Sequence, residues 1–316
     1  MTQSTDTAHH AARHDRPMLG IALMLGFCVL APLGDAFAKL LSDLPVLLLV
    51  WARFAGQILL MLPFALRARG RARGQIWPSG RARKLVALRA VMHICGILCM
   101  FSALRFLPLA EAVAIAFVMP FVLLLFGKLF LGEEVGPRRL IACAVGFAGT
   151  LMVIQPSFMQ VGLPALLPLG VAVFFALFML TTRAVAHDID PFALQVSGGI
   201  MATVFLLPLL AIGWATGLPG LGLRLPQGHE WALLIALCVI GSVSHLLMGW
   251  SLRFASTTTV GPMQYLEIPF STLIGWLIFS HLPNGLAALG IAVTIGAGLY
   301  VIYREQRMAR ERAATA

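Results

Sequence analysis

Charge is scarce in this sequence: Asp, Glu, Lys and Arg together supply 11% of its 316 residues, where ordinary globular chains carry roughly a quarter. Acid is scarcer than base, with 13 Asp and Glu against 23 Lys and Arg. There is no Gly-x-x-x-x-Gly-Lys-Ser/Thr phosphate loop and no soluble domain in which to place one, so this chain does not itself drive pumping by ATP hydrolysis. Cysteine is sparse too. Cys28, Cys95, Cys99, Cys143 and Cys238 all sit in apolar runs, which suits small buried hydrophobes better than disulfides. Cys95 and Cys99 share a helix face near His93, but zinc needs more ligands than that face supplies, so neither metal nor cofactor is expected. The first apolar run lacks a small-residue cleavage site and is too long for a signal-peptide core, which predicts a retained helix.

Apolar residues make up 59% of the chain, which points to lipid as the solvent. A hydrocarbon core of roughly 30 Å needs about 20 apolar residues per helical span. Ten runs approach that length: 18–40, 45–66, 85–106, 109–131, 139–155, 163–183, 192–213, 231–252, 257–280 and 285–303. The predicted fold class is an all-α integral membrane protein with ten transmembrane helices.

The excess of positive charge reports topology. With the N-terminus in the cytoplasm, 18 of the 23 Lys and Arg fall on the cytoplasmic side and three (Lys39, Arg105, Arg224) on the other, Arg53 and Arg89 lying within spans. Positive charge marks the cytoplasmic side, so both termini are expected inside, as short tails at 1–17 and 304–316. A basic nucleic-acid loop at 67–84 is the competing explanation, but Trp77 is its one aromatic residue and no nucleic-acid partner is expected.

The chain repeats itself. "ALRFLPLAEAVAIAFVMPF" at 103–121 returns as "SLRFASTTTVGPMQYLEIPF" at 251–270. Pro120-Phe121 and Pro269-Phe270 are 149 residues apart, and the same offset relates Ala148-Gly149 to Ala297-Gly298. Two halves of five spans follow, at 18–155 and 163–303. Because five is odd, the second half enters the membrane inverted, an architecture of transporters with a substrate site near the midplane and alternating access.

Leu-Arg-Phe-Leu-Pro-Leu-Ala-Glu-Ala at 104–112, Pro120, Gly132-Glu133-Glu134, Arg53 and Ala148-Gly149-Thr150-Leu151 resemble the EamA-type permeases of the drug/metabolite transporter superfamily. The resemblance covers about residues 18 to 303. It implies two inverted five-helix repeats, a central cavity bounded by spans 1, 3, 4, 6, 8 and 9, and small-metabolite substrates in the inner (plasma) membrane. An amino acid or relative is the first expectation for the cargo, and import of a vitamin-like or nucleoside-like metabolite the second. The halves differ where Ser256-Thr257-Thr258-Thr259 replaces Leu107-Pro108-Leu109-Ala110, so roles do not copy across.

Ionisable groups inside the hydrocarbon region cost about 2.5–3.5 kcal/mol each on insertion scales and so mark candidate sites. Glu267, near the middle of span nine, stands on a face with Thr257, Gly261, Gln264, Ser271 and Gly275; this is either a cavity wall or a small-residue packing face. Glu267 is the candidate for coupling to ligand or protons. Asp35 can contact substrate or pair with Lys39 one turn later. His93 and His245 can bind substrate, relay protons or pack. Gln264 and Tyr265 complete the candidate substrate set, with Phe174, Phe175, Phe178 and Trp250 as aromatic walls. Arg53 is a candidate structural charge. Arg105 and Glu111 are candidates for an outer gate or for interfacial snorkelling, and Arg89 is expected to snorkel. Ser242 and His245 on one face superficially suggest an intramembrane hydrolase, but no Gly-x-Ser-x-Gly turn surrounds Ser242 and no orienting carboxylate is near in sequence. The expected partners are a small-molecule substrate, protons as a candidate co-substrate, and membrane lipid.

Overall fold

The computed structural model describes residues 17–68, 76–119, 121–122, 125–126, 137–185, 188–216, 224–254 and 263–315. Its described helices are α1 Pro17–Leu40, α2 Val46–Ala68, α3 Gly80–Ala103, α4 Leu109–Ala116, α5 Pro137–Val161, α6 Leu167–Val185, α7 Pro191–Thr216, α8 Glu230–Phe254, α9 Glu267–Phe279 and α10 Gly285–Thr315. No strand occurs among the described residues. Seven helices (α1, α2, α3, α5, α6, α7 and α8) are long and apolar enough to cross a membrane, and α9 and the stretch Gly285–Tyr300 of α10 are shorter apolar helices. The protein is an all-helical integral membrane protein. Its outward faces carry Leu59, Ile212, Trp214 and Leu277, each half or more exposed, which suits a lipid solvent as apolar as they are.

Local chemistry sets the helix ends. Asp190 Oδ1 accepts from the backbone N–H of Phe192 at 3.0 Å, and Asn284 Oδ1 from that of Ala287 at 2.8 Å, so each short polar side chain caps the helix that follows. Gly162 ends α5 at φ +71°, a left-handed conformation that glycine adopts without a Cβ penalty.

Helices α4 and α9 are interrupted. After α4 the chain turns at Phe117–Val118, and before α9 it turns at Tyr265–Leu266. The sequence places a proline shortly after each turn, at 120 and 269; proline has no N–H to give the carbonyl four residues back, and its ring crowds that carbonyl. The runs 127–136 and 255–262, which hold Gly132-Glu133-Glu134, Thr257 and Gly261, lie outside the described residues, as does Pro120.

The packing partners follow a pattern. Helix α1 lies against α8 and α3 against α6; α2 touches α8 and α3 touches α7; α1 meets α9 and α4 meets α6; α2 packs with α7, α4 with α9 and α5 with α10. Exchanging each helix for the one five places away turns this set into itself.

Glycine permits the closest of these approaches. A Cβ on Gly290 of α10 would lie 2.5 Å from the carbonyl oxygen of Gly149 on α5 and 2.8 Å from Val153 Cγ2. Backbone cannot yield as a side-chain tip can. Gly290→Val is therefore expected to force α5 and α10 apart and destabilise the bundle by about 1–3 kcal/mol, the usual range for overpacking. A melting temperature in detergent equal to that of the parent protein would contradict this.

Candidate functional site

A cavity of about 110 Å³ lies within the bundle, lined from α1, α2, α3, α4, α6 and α8 and by Gln264 and Glu267 on either side of the turn that precedes α9. Its walls are mostly apolar, with Phe27, Phe101, Phe117 and Phe175 contributing rings. Its polar lining consists of Asp35, Arg53, His93, Ser244, His245, Gln264 and Glu267.

Asp35 reaches this wall from the last third of α1. The Lys39 pairing available from the sequence is not formed. Lys39 Nζ instead donates to the carbonyls of Leu104 and Leu107 at 2.6 and 2.7 Å, because the α3–α4 turn leaves those carbonyls without helical donors. Asp35 is left facing the cavity, where Arg53 and Glu267 are its electrostatic neighbours. Neither Asp35 nor Glu267 forms an ion pair or side-chain hydrogen bond with a described residue.

Arg53, 4% exposed, crosses from α2 to α8. Its Nη2 donates to His245 Nδ1 at 3.0 Å and to the carbonyl of Gly241 at 3.3 Å, while its buried Nη1 has no partner among the described residues. The approach requires Gly241, since a Cβ there would lie 2.7 Å from Arg53 Nε. His245 Nδ1 also lies 3.1 Å from the Gly241 carbonyl and 3.3 Å from Ser244 Oγ; Arg53 calls for an accepting Nδ1 and the carbonyl for a donating one, so the ring's proton can sit on either nitrogen. The His245 ring lies 4.6 Å from that of His93, and His93 lies 4.3 Å from Phe178 and 5.1 Å from Phe54. His93 and His245 line one end of the cavity, with the tilted and edge-on rings of Phe178 and Phe54 behind them. His93 Nε2 is buried without a described partner.

The polar face of the ninth span divides. Gln264 and Glu267 line the cavity. Ser271 turns inward to donate to the carbonyl of Ile268 at 2.7 Å, and Gly275 lets Leu109 of α4 approach to 3.7 Å from where its Cβ would stand. Cavity wall and packing face therefore occupy successive turns. Glu267 opens α9 immediately after the break.

The remaining candidates lie elsewhere. Tyr265 is 3% exposed and outside the cavity wall, its ring 5.4 Å from Phe117 and packed where any Cβ on Gly298 would fall. Trp250 stands edge-on to Phe192 at 5.3 Å. Arg105 donates to the carbonyl of Leu44, tying the α3–α4 turn to the α1–α2 turn. Glu111, 7% exposed, accepts from Ser157 Oγ of α5 at 2.5 Å. In this conformation both act as braces between helices. Ser242 Oγ donates to the carbonyl of Cys238 at 2.7 Å rather than to His245, so no nucleophile–base pair forms. Arg89 does not snorkel; it is 3% exposed and bonded within the bundle.

Sequence reasoning passed over Phe27, Phe101 and Phe117 as walls, and Gln57 and Gln195 as buried polar groups. Phenylalanine is too common in membrane helices to signal a cavity. The two glutamines inside apolar runs were a readable signal, since an amide in hydrocarbon needs partners; Gln57 Nε2 donates to the Gln195 carbonyl at 2.8 Å.

A family model described as the EamA-like transporter family matches this chain twice, at residues 18–155 and 162–304. The chain belongs to that family. A riboflavin transporter of Rhizobium johnstonii is 31% identical over 71% of this chain and 72% of its own length. The pseudopaline exporter CntI of Pseudomonas aeruginosa is 30% identical over 65% of this chain and 70% of its own, and an S-adenosylmethionine uptake transporter of Rickettsia felis is 24% identical over 70% and 72%. A solved protein structure shares the fold at a TM-score of 0.59 and 20% identity, covering 92% of this chain and 97% of that one. This EamA-family protein is a small-metabolite transporter of the inner membrane and not an enzyme.

Proposed function

We propose that this protein moves a vitamin-like metabolite bearing a flat heteroaromatic ring, by secondary or facilitated transport with alternating access. The carrying observation is the cavity itself: phenylalanine walls enclosing a small polar set of Asp35, Gln264, Glu267 and the Arg53–His245 pair. Aromatic walls suit ring stacking, and the polar groups can receive ring N–H and carbonyl groups. The names of the riboflavin and S-adenosylmethionine relatives favour this cargo over an amino acid, the first expectation from sequence. Counterflow in proteoliposomes with labelled riboflavin, S-adenosylmethionine and an amino-acid panel tests it. The reading fails if an amino acid exchanges while both ring compounds match empty liposomes.

Alternating access draws support from the helix pairing, which maps onto itself under a five-helix shift, from the two family matches and from interrupted helices at equivalent positions of the two halves. We read these as two inverted five-helix repeats, 18–155 and 163–303, with the broken helices α4 and α9 packed against each other beside the substrate path. Charge bias puts both termini in the cytoplasm. Reporter fusions at Ala316 and Pro219 are expected to report opposite sides, and identical locations would sink the ten-span topology.

Within this reading Asp35, His93, His245, Gln264 and Glu267 contact or couple to the cargo, and Arg53 holds His245 in place. Cysteines introduced at Asp35 and His93 are expected to react with a small hydrophilic maleimide and to be protected by cargo. Inert thiols at both positions would assign the pair to packing.

A further inference from the structure

Beyond the histidine-lined end of the main cavity lies a second, much smaller one of about 20 Å³, between α3, α6, α7 and α8. His245 belongs to both walls. Arg89 reaches this space from the first half of α3. Its Nε donates to Thr182 Oγ1 at 2.8 Å and its Nη2 to Gln195 Oε1 at 3.5 Å, and its guanidinium carbon lies 4.5 Å from the centroid of Phe178.

All three described partners are neutral. A guanidinium 3% exposed thus has its hydrogen bonds partly met and no carboxylate partner among the described residues. Gln195, equally buried and on the same wall, leaves Nε2 without a described partner, while its oxygen also lies 3.4 Å from Gln57 Nε2. A cation withdrawn from water and left unpaired is costly, and a charge inside the membrane marks a functional site by default. The missing element is a negative oxygen within reach of both donors. The planar fork of arginine matches carboxylate and phosphate, and the free space has room for one oxygen of such a group rather than a whole large cargo.

We propose that this second cavity is an anion site, taking a carboxylate or phosphate oxygen between Arg89 and Gln195. The proposal rests on the transporter assignment and not on the ring-bearing cargo. The anion is either a free ion or a group borne by a solute in passage past His245. Its occupation would be felt by α3, α6 and α7 together, because Arg89 ties all three.

The test is thermal unfolding of the purified full-length protein at constant ionic strength, with inorganic phosphate, benzoate, neutral benzamide and chloride as probes. A ligand held by the native state raises stability with its concentration. Phosphate or benzoate is expected to give a saturable rise of about 2–4 °C at roughly ten times its dissociation constant, with none from chloride or benzamide. A response to phosphate identifies a free ion as occupant; a response to benzoate alone identifies a ring-borne group. Arg89→Gln is expected to abolish the rise, and Gln195→Leu, which keeps the cation, to raise the half-saturating concentration at least about tenfold, the loss of one charge-assisted hydrogen bond. Arg53→Gln is expected to retain the rise, which separates this site from the main cavity. Absence of any response in the parent protein, an unchanged response in Arg89→Gln or Gln195→Leu, or its loss in Arg53→Gln would overturn the proposal.

Discussion

Arg53→Ala is expected to lower the initial rate of counterflow more than a hundredfold while the protein still reaches the membrane. Arg53 is the one described link between α2 and the cavity face of α8 that bonds His245, through the 3.0 Å contact to Nδ1 and the 3.3 Å contact to the Gly241 carbonyl. Hydrogen bonds from charged donors contribute about 1.5–3 kcal/mol each, and every 1.4 kcal/mol is tenfold in an equilibrium. Losing both contacts leaves the His245 ring with only the Gly241 and Ser244 contacts on its own helix, and it removes the positive charge that acts on the Asp35 carboxyl. Arg53→Lys keeps the charge but not the planar fork, so it is expected to fall between the two. Rates are measured per reconstituted protein, with size-exclusion profiles controlling for folding. An alanine variant within twofold of the parent rate would reduce Arg53 to a packing residue.

Glu267→Gln is expected to flatten the pH dependence of transport while leaving binding of a neutral cargo nearly intact. Glu267 begins α9 at the break, so its carboxyl sits where rearrangement of the broken helix would move it. The titratable and charged groups facing the same cavity are Asp35 on α1, Arg53 on α2, His93 on α3 and His245 on α8. Protonation of the two carboxyls is therefore coupled, and a group alternating between neutral and charged forms favours whichever conformation best solvates or pairs it. Glutamine preserves shape and hydrogen bonding but cannot titrate. Its rate is expected to vary by less than about twofold between pH 5 and 8, where a coupled carboxyl would impose a clear inflection. Glu267→Ala is expected to weaken cargo binding as well. A glutamine variant with the parent rate and pH profile would make Glu267 a packing residue.

Chain length and apolar content, judged against the thickness of a bilayer, were enough to locate α1, α2, α3, α5, α6, α7 and α8 and to reject a soluble enzyme. The cost of charge in hydrocarbon singled out Asp35, Arg53 and Glu267 from the sequence, whereas proline alone did not tell the interrupted helices from the continuous ones, since Pro32 and Pro208 sit inside α1 and α7. Which face of each helix meets protein was beyond that reasoning. In water an amphipathic stripe reveals the buried face; in lipid both faces are apolar, and periodicity is silent. Only packing decided that Lys39 serves the carbonyls of Leu104 and Leu107 instead of Asp35, and that Tyr265 fills the hollow at Gly298 while Gln264 lines the cavity. Arg89 is the clearest instance. Its position near the start of α3 places it within snorkelling reach of the interface, yet Thr182 and Gln195, about 90 and 110 residues away in sequence, hold it inside, because helix association presents it with buried acceptors that no local pattern encodes.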